Sequence, residues 1–191
     1  MNDVCAEGKG VTVRGRVVQG ITEVGEKLVV SPVGDQTTIY KLEKTSTDVI
    51  DYAMAGDTVW LGLAGLDIVR ISAGHILSHS QWRPPLVKRL RAKILVMQGL
   101  VVPIIPGAQT VWHMHSMDLP AVVSKLLSST QKGTTRNKPR ALTSGVSATV
   151  EITVAERICV ETYNDCRAMG RFVLRRGGET IAIGLIEELL A

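Results

Sequence analysis

The sequence predicts an all-β chain, and its composition and the spacing of its apolar residues lead to that prediction. Only 4% of the residues are aromatic, whereas Val, Ile, Leu, Thr and Gly recur in short runs. Such runs favour strands separated by frequent turns over long helices. The 191 residues, 45% of them hydrophobic, suffice for one large core or for two modest cores of roughly 100 residues each.

Short strands broken by turns fill the N-terminal half. Residues 11–18 alternate for part of their length, and residues 26–31 form a second run that stops at Pro32. Further runs of this kind are residues 37–44, 57–63 and 75–78. Such closely spaced short strands predict a small barrel or sandwich.

Two consecutive prolines, Pro84 and Pro85, mark the predicted domain boundary. Proline donates no ladder hydrogen bond and restricts the residue before it to extended conformations. We therefore predict a first domain at residues 1–82, a linker at 83–88 and a second domain at 89–191.

The second domain contains two clear strand patterns and two segments that depart from them. Residues 90–96 and 148–154 alternate between apolar and polar side chains, which predicts half-buried strands. The apolar side chains of residues 119–127 are instead spaced as on an amphipathic helix. Residues 128–138 are polar and basic without any apolar period, which predicts a mobile surface loop.

The cysteine count and the absence of a long apolar run exclude several classes of protein. Cys5, Cys159 and Cys166 are an odd number without paired spacing, which fits neither a disulfide framework nor a four-ligand zinc site. Buried thiols in a reducing cytosol are the simpler interpretation. No signal sequence and no apolar run of about 18 residues occurs, so a cytoplasmic protein without membrane contact is predicted.

Basic residues are only slightly in excess, 22 against 18 acidic residues, but they are clustered. Such clusters suit a phosphate backbone or an acidic partner, and they equally suit ordinary solvated faces. The clusters are Arg83, Lys88, Arg89, Arg91 and Lys93; then Lys132, Arg136, Lys138 and Arg140; then Arg167, Arg171, Arg175 and Arg176.

Four glycine-containing motifs occur in order in the N-terminal half. They are Gly15-Arg-Val-Val-Gln-Gly20, Val24-Gly25-Glu26, Ala55-Gly56-Asp57 and Leu61-Gly-Leu-Ala-Gly-Leu-Asp67. Glycine permits the tight turns and close strand crossings that close a small barrel. The set resembles the second domain of translational GTPases.

Three motifs in the C-terminal half are more specific. They are Ile158-Cys-Val-Glu-Thr-Tyr163, Met169-Gly-Arg-Phe-Val-Leu-Arg175 and Thr180-Ile-Ala-Ile-Gly184. This set resembles the third domain of elongation factor 1-alpha and of its relatives, the GTPase subunit of the eukaryotic release factor and the Hbs ribosome-rescue GTPase. The matches cover nearly the whole chain and imply two consecutive small antiparallel β-barrels.

Three segments are most similar to Hbs proteins: Leu66-Asp-Ile-Val-Arg-Ile-Ser72, Leu119-Pro-Ala-Val-Val-Ser-Lys-Leu-Leu127 and Arg175-Arg-Gly-Gly-Glu-Thr180. The segment Trp112-His-Met-His115 also resembles a strand of the release-factor subunit, which is therefore the alternative, with elongation factor 1-alpha itself still open. The family has an extended chain at 119–127, so the resemblance implies a strand there despite the helical spacing.

The chain carries no nucleotide-binding motif. A GTPase needs a Gly-x4-Gly-Lys-[Ser/Thr] loop for phosphates and magnesium, and none occurs here. We therefore expect no catalytic, cofactor or metal site. The resemblance implies GTP and Mg²⁺ only on an upstream domain, and it implies that this chain is a fragment or a shortened product of a longer GTPase. The alternative, a metal or thiol enzyme that has reused two barrels, would retain a stoichiometric ion or a low-pKa thiol.

Three arginines near the C-terminus are candidate partner-binding residues. Arg171, Arg175 and Arg176 surround Phe172 and Leu174, so a strand would largely separate charged and apolar side chains onto opposite faces. The outer face is either a solvated arginine row or a partner surface, since arginine makes bidentate contacts and is enriched at interface hot spots.

Two histidines and three further basic residues complete the candidates. His113 and His115 would share one face of a strand and could supply two metal nitrogens, but without a third ligand they indicate a polar face at a partner interface. Arg14 and Arg16 on the first strand, with Lys9 before it, could approach ribosomal RNA.

The partners follow from the resemblance. It implies a monomer whose barrels hold a transfer-RNA-shaped protein, Pelota for an Hbs protein or the class-one release factor for the alternative. It also implies contact with the small ribosomal subunit and its RNA. The corresponding roles are rescue of stalled ribosomes with no-go and non-stop messenger-RNA decay, or termination.

Overall fold

The structure is a computed structural model that describes residues 1, 3–7, 10–45, 48–131 and 133–190, and of residues 3–7 only the backbone. The chain divides between Pro84 and Pro85 into two compact units, the N-terminal unit and the C-terminal unit. Residues 86–88 belong to the first strand of the C-terminal unit and not to a linker. The reason is that strand pairing starts directly after the prolines, where Pro85 O accepts from Val160 N at 3.2 Å.

Antiparallel strands build the N-terminal unit. In the described part of the chain they are β1 (Asp3–Glu7), β2 (Gly10–Arg16), β3 (Ile21–Glu23), β4 (Lys27–Ser31), β5 (Asp35–Thr45), β6 (Asp48–Val49), β7 (Tyr52–Met54), β8 (Thr58–Ala64) and β9 (Ile76–His79). One sheet has the order β1–β2–β8–β5–β4–β9, with β6 beside β5, and β3 pairs with β7. A 3-10 turn at Ile68–Arg70 is capped by the Asp67 side chain. The core includes Val13, Ile39, Leu42 and Leu63.

The C-terminal unit is a closed barrel. Its described strands are β10 (Leu86–Val96), β11 (Ala108–Met114), β12 (Met117–Gln131), β13 (Thr134–Asn137), β14 (Ser147–Cys159), β15 (Arg171–Arg176) and β16 (Glu179–Leu190). The order β11–β15–β16–β10–β14–β12 returns to β11 through the β11–β12 ladder, and β13 extends the sheet beside β12. The predicted all-β chain of two antiparallel barrel units is confirmed. No described helix is long and apolar enough to cross a membrane.

The centre of the C-terminal barrel is an aromatic stack. Trp112 on β11 is fully buried and lies parallel to Phe172 on β15, with the ring centroids 3.8 Å apart. Gly184 on β16 lies opposite Phe172, and a Cβ there would be 2.2 Å from the ring. The barrel therefore needs glycine at 184 because the ring of Phe172 occupies the place of a side chain.

Strand β12 explains why its sequence has a helical period. Its ladder with β14 shifts between Val123 and Lys125 and again between Leu126 and Ser128. Each such β-bulge inserts a residue and resets the alternation, so Ala121, Val123 and Leu126 all lie in the core. The strand implied by the resemblance is confirmed. The helical spacing of its apolar residues results from the bulges.

The predicted mobile loop at 128–138 is wrong. In its described part the segment continues β12 to Gln131 and returns as β13, with pairs such as Ser129 opposite Arg136. Lys138 N then donates to Leu127 O at 2.8 Å. Apolar periodicity is missing because every residue of β13 is exposed, so neither face of this hairpin faces the core.

Candidate partner-binding and RNA-facing surfaces

Strand β15 places two of the candidate arginines on the outside of the C-terminal barrel. Phe172 and Leu174 point into the core, so the alternating positions Arg171, Val173 and Arg175 face outward. The ladder with β16 shifts between Leu174 and Arg175. Arg176, at the end of the strand, donates through Nη2 to Val102 O and so reaches toward the segment that follows β10.

Apolar side chains on neighbouring strands accompany these arginines. Cross-strand pairs join Val111 to Arg175, His113 to Val173, Val173 to Ile183 and Arg171 to Leu185, which puts all of them on one outer face. Val111, Ile183 and Leu185 are 39%, 46% and 36% exposed. We call this set the arginine face. Its members are Val111, His113, Arg171, Val173, Arg175, Ile183 and Leu185.

Arg171 is held in place by Tyr163. Its Nη2 donates to Tyr163 Oη at 3.0 Å, and its guanidinium lies 5.2 Å from the centroid of the tyrosine ring. The hydrogen bond from Arg171, followed by the charges of Arg171 and Arg167, lowers the pKa of Tyr163 below its ordinary value. The arginine is thus presented in a fixed orientation, which reduces the side-chain entropy lost on binding.

This contact predicts a measurable titration. In the native chain we expect Tyr163 to ionise at lower pH than a free tyrosine, and Arg171→Met to return its pKa toward the ordinary value because the donor and the charge are removed. NMR titration of chains with ¹³C-labelled tyrosine measures this. Arg140→Met is the control for a distant charge, and an unchanged Tyr163 titration in Arg171→Met would contradict the contact.

Arg175 is also anchored, and it borders a groove. Its Nη2 donates to Gly178 O at 2.8 Å in the turn after β15. The groove beside it measures about 610 Å³ and has Lys88 and Arg176 among its cationic residues. Lining residues from β11, β12 and β14 include Gln109, Val111, Pro120, Val122 and Thr153. This groove continues the arginine face toward β12, so a partner would find apolar walls with basic groups beside them.

The two histidines do not form a pair. His113 lies on the arginine face, and its Nδ1 is 2.5 Å from Asp118 Oδ1 on β12. β11 ends at Met114, and His115 occupies the following turn with φ 54°. The expectation that both histidines share a strand face is therefore wrong, because the strand stops one residue too early. Among the described residues, no group of three His, Cys, Asp or Glu side chains could hold a metal ion.

The described cysteines are placed where a reactive thiol is not expected. Neither Cys159 nor Cys166 forms a disulfide, and both are buried in the C-terminal unit. Reactive cysteines are usually partly exposed in an electropositive environment. Their burial agrees with an ordinary structural role for both side chains.

Arg14 and Arg16 lie on the outer face of the N-terminal unit. Both are exposed on β2, whereas Val13 and Gly15 beside them are buried. Arg14 is opposite Trp60 on β8, and its guanidinium lies 5.8 Å from that ring. Lys9, the third residue predicted for this surface, lies outside the described residues.

The sequence could have indicated the apolar part of the arginine face. Val173, Ile183 and Leu185 occupy the same alternating positions as Arg171 and Arg175 on paired strands, where polar residues are usual on an outer face. The cross-strand register that brings Val111 beside Arg175 is set by the closed barrel. That register could not be read from the sequence.

Comparison with known proteins identifies the family. Residues 89–187 match the family described as GTP-eEF1A C-terminal domain-like. Protein HBS1 of Drosophila melanogaster is 35% identical over 95% of this chain and 27% of its own length. The eukaryotic peptide chain release factor GTP-binding subunit of Ogataea pini is 30% identical over 95% of this chain and 25% of its length. Elongation factor 1-alpha of Cenarchaeum symbiosum is 32% identical over 95% of this chain and 42% of its length.

Solved structures agree on the fold. The crystal structure of sup35 complexed with GDP superposes with a TM-score of 0.88 at 23% identity, covering 97% of this chain and 46% of that one. The chain thus spans between a quarter and a half of the length of these relatives. It belongs to the GTP-eEF1A C-terminal domain-like family, and its two units are barrels of a translational GTPase of the elongation factor 1-alpha class.

Proposed function

We propose that this chain is the partner-binding part of an Hbs-type translational GTPase that acts in the cytoplasm in the rescue of stalled ribosomes. The arginine face carries the proposal, because it combines an exposed apolar row with two anchored arginines, Arg171 and Arg175. Interfaces between proteins are enriched in arginine, and their energetic centres are arginine or aromatic side chains surrounded by apolar contacts. The proposed partner is a Pelota-type protein.

The similarity to HBS1, 35% against 30% and 32% for two release-factor subunits, favours this subfamily by a small margin. The second candidate is therefore the release-factor subunit, whose partner would be the class-one release factor and whose role would be termination. Both candidates make the same use of the arginine face. They differ in the protein that it recognises.

In the proposed protein, GTP hydrolysis, partner binding and contact with ribosomal RNA belong to different domains. GTP and Mg²⁺ would be bound by an upstream domain, whose hydrolysis step would release the partner. The C-terminal unit would hold the partner on the arginine face. Arg176 and His115, which lie beside that face, would also contact the partner. Arg14 and Arg16 of the N-terminal unit, with Lys9, would face ribosomal RNA of the small subunit, where arginine contacts phosphates at a salt-dependent affinity.

Replacing both anchored arginines tests the proposal. We expect Arg171→Ala with Arg175→Ala to weaken binding to Pelota by about 2 kcal/mol or more, the range of interface hot spots. Isothermal titration calorimetry with Pelota, and separately with the class-one release factor of the same organism, measures this. Circular dichroism should be unchanged, because both side chains point outward from β15.

A charge-matched control separates recognition from long-range attraction. Arg136→Ala with Arg140→Ala removes the same charge from exposed positions on another surface and is expected to leave the affinity for Pelota nearly unchanged. Tighter binding of the release factor than of Pelota would assign the chain to termination. Equal weakening by both double variants would refute the arginine face as the binding surface.

A further inference from the structure

The hairpin formed by β12 and β13 has a composition unlike the rest of the barrel. We call residues 128–131 and 133–140 the basic hairpin. Its members are Ser, Thr, Gln, Asn, Gly, Arg, Lys and a single Pro, with no apolar side chain other than that proline. Both faces of β13 are exposed, so this strand contributes nothing to the core and its side chains are accessible to a ligand.

Charge is segregated into this region of the chain. Residues 119–150 contain five basic residues, namely Lys125, Lys132, Arg136, Lys138 and Arg140, and no acidic residue. The whole chain has 22 basic and 18 acidic residues, which leaves 17 basic against 18 acidic residues elsewhere. The net positive charge of the chain therefore arises entirely from this segment.

The described cations of the hairpin are available to a ligand. Arg136, Lys138 and Arg140 are exposed, and the described salt bridge of this region joins Lys125 to Glu151 at 3.0 Å, outside the hairpin. Hydroxyl and amide groups line the same ladder: Ser129 lies opposite Arg136, Ser128 opposite Asn137 and Thr130 opposite Thr135. The backbone at Lys138 is left-handed, with φ 48°, where the chain leaves the hairpin.

The chemistry of these groups favours a nucleic-acid backbone over an acidic protein. Arg, Lys, Ser, Thr, Asn and Gln are the side chains that donate to phosphate oxygens. A protein interface would instead need apolar or aromatic side chains at its centre, and the hairpin has none. It also lacks aromatic rings on which unpaired bases could stack, which points to a double-stranded, backbone-contacted ligand.

We propose that the basic hairpin binds the phosphate backbone of double-stranded RNA without sequence preference. This site lies in the C-terminal unit, on strands other than those of the arginine face, and it does not depend on which protein partner that face recognises. β13 and the residues that follow it present the cations, and both strands present hydroxyls. Such a ribbon can follow phosphates along the edge of a groove. The interaction is electrostatic and therefore weakens steeply with salt.

The test compares RNA binding by the full chain with that of a neutralised hairpin. The variant carries Arg136→Gln, Lys138→Asn and Arg140→Gln, with asparagine at 138 because it tolerates the left-handed backbone. Fluorescence anisotropy with a labelled RNA duplex about two helical turns long measures affinity over a salt series. We expect at least about a tenfold loss of affinity near 0.1 M salt and a log–log salt slope smaller by about two to three.

A matched control removes the same charge elsewhere. Arg89→Gln, Arg157→Gln and Arg167→Gln neutralise three exposed basic residues of the C-terminal unit that lie neither on the hairpin nor on a row paired with it, and they should change affinity by less than about threefold. An equal loss in both variants would overturn the proposal, because net charge alone would then explain binding. The absence of binding to the duplex at low salt would also overturn the proposal. Stronger hairpin-dependent binding of polyglutamate than of RNA would assign the hairpin to an acidic protein instead.

Discussion

Replacing Phe172 by alanine is expected to destabilise the C-terminal barrel by about 3–5 kcal/mol. The ring is buried between Trp112, at 3.8 Å, and Gly184, whose missing Cβ makes room for it. Its removal leaves a cavity that neither glycine nor a rigid indole can fill. Since a domain is typically stable by about 5–15 kcal/mol, the barrel would lose a large part of its stability.

Urea denaturation followed by the fluorescence of Trp112 measures this loss, in a background where Trp60 and Trp82 are replaced by Phe. Trp112 reports directly on the barrel because it is fully buried. Phe172→Leu is the companion variant and should cost less, because it leaves a smaller cavity. A loss below about 1 kcal/mol in Phe172→Ala would show that the stack is not the centre of the core.

Gly170→Ala is expected to cost about 2–3 kcal/mol or more. A Cβ at 170 would lie 2.4 Å from both the N and the Cα of Tyr163. Tyr163 cannot retreat easily, because its N–H donates to Ile186 O at 2.9 Å and Ile186 N–H donates to Gly170 O at 2.9 Å. Relief of the clash would break this pair of hydrogen bonds and displace the tyrosine that orients Arg171.

The same urea experiment checks this expectation, and calorimetry with Pelota checks its second consequence, a weaker partner affinity. Gly15→Ala is the control, since the closest atoms to its Cβ would be 3.8 Å and 3.9 Å away and the substitution should change stability by less than about 1 kcal/mol. Because Gly15 belongs to the N-terminal unit, the unfolding of that unit is followed by the fluorescence of Trp60, in a background where Trp82 and Trp112 are replaced by Phe. If Gly170→Ala were as stable as Gly15→Ala, the close approach of the two backbones would be refuted.

Much of the fold could be read from alternation and turn residues, and the failures have local physical causes. β10 and the central part of β14 alternate regularly because their ladders with each other have one side in the core. The apolar residues of β12 are spaced as on a helix because two bulges shift the alternation of the strand. The basic hairpin resembled a loop because the usual strand signal is a buried face, and β13 has none.

The candidate site was predictable in its residues but not in its assembly. The outward positions of Arg171 and Arg175 follow from the burial of Phe172 between them. Their apolar neighbours come from β11 and β16, and this proximity depends on the register of the closed ring. The loss of His115 from the face depends on a strand ending at Met114, and strand ends are the feature that local patterns define least well.

The position of β13 outside the ring has an evolutionary consequence. β13 pairs with β12, whereas the ring closes through the β11–β12 ladder and its five other ladders. In the course of evolution this hairpin could therefore be shortened, lengthened or changed in charge, while every ladder that closes the barrel is kept. Ligand preference at this end can diverge without a compensating change in the core, so relatives with the same barrel can acquire different affinities there one surface substitution at a time.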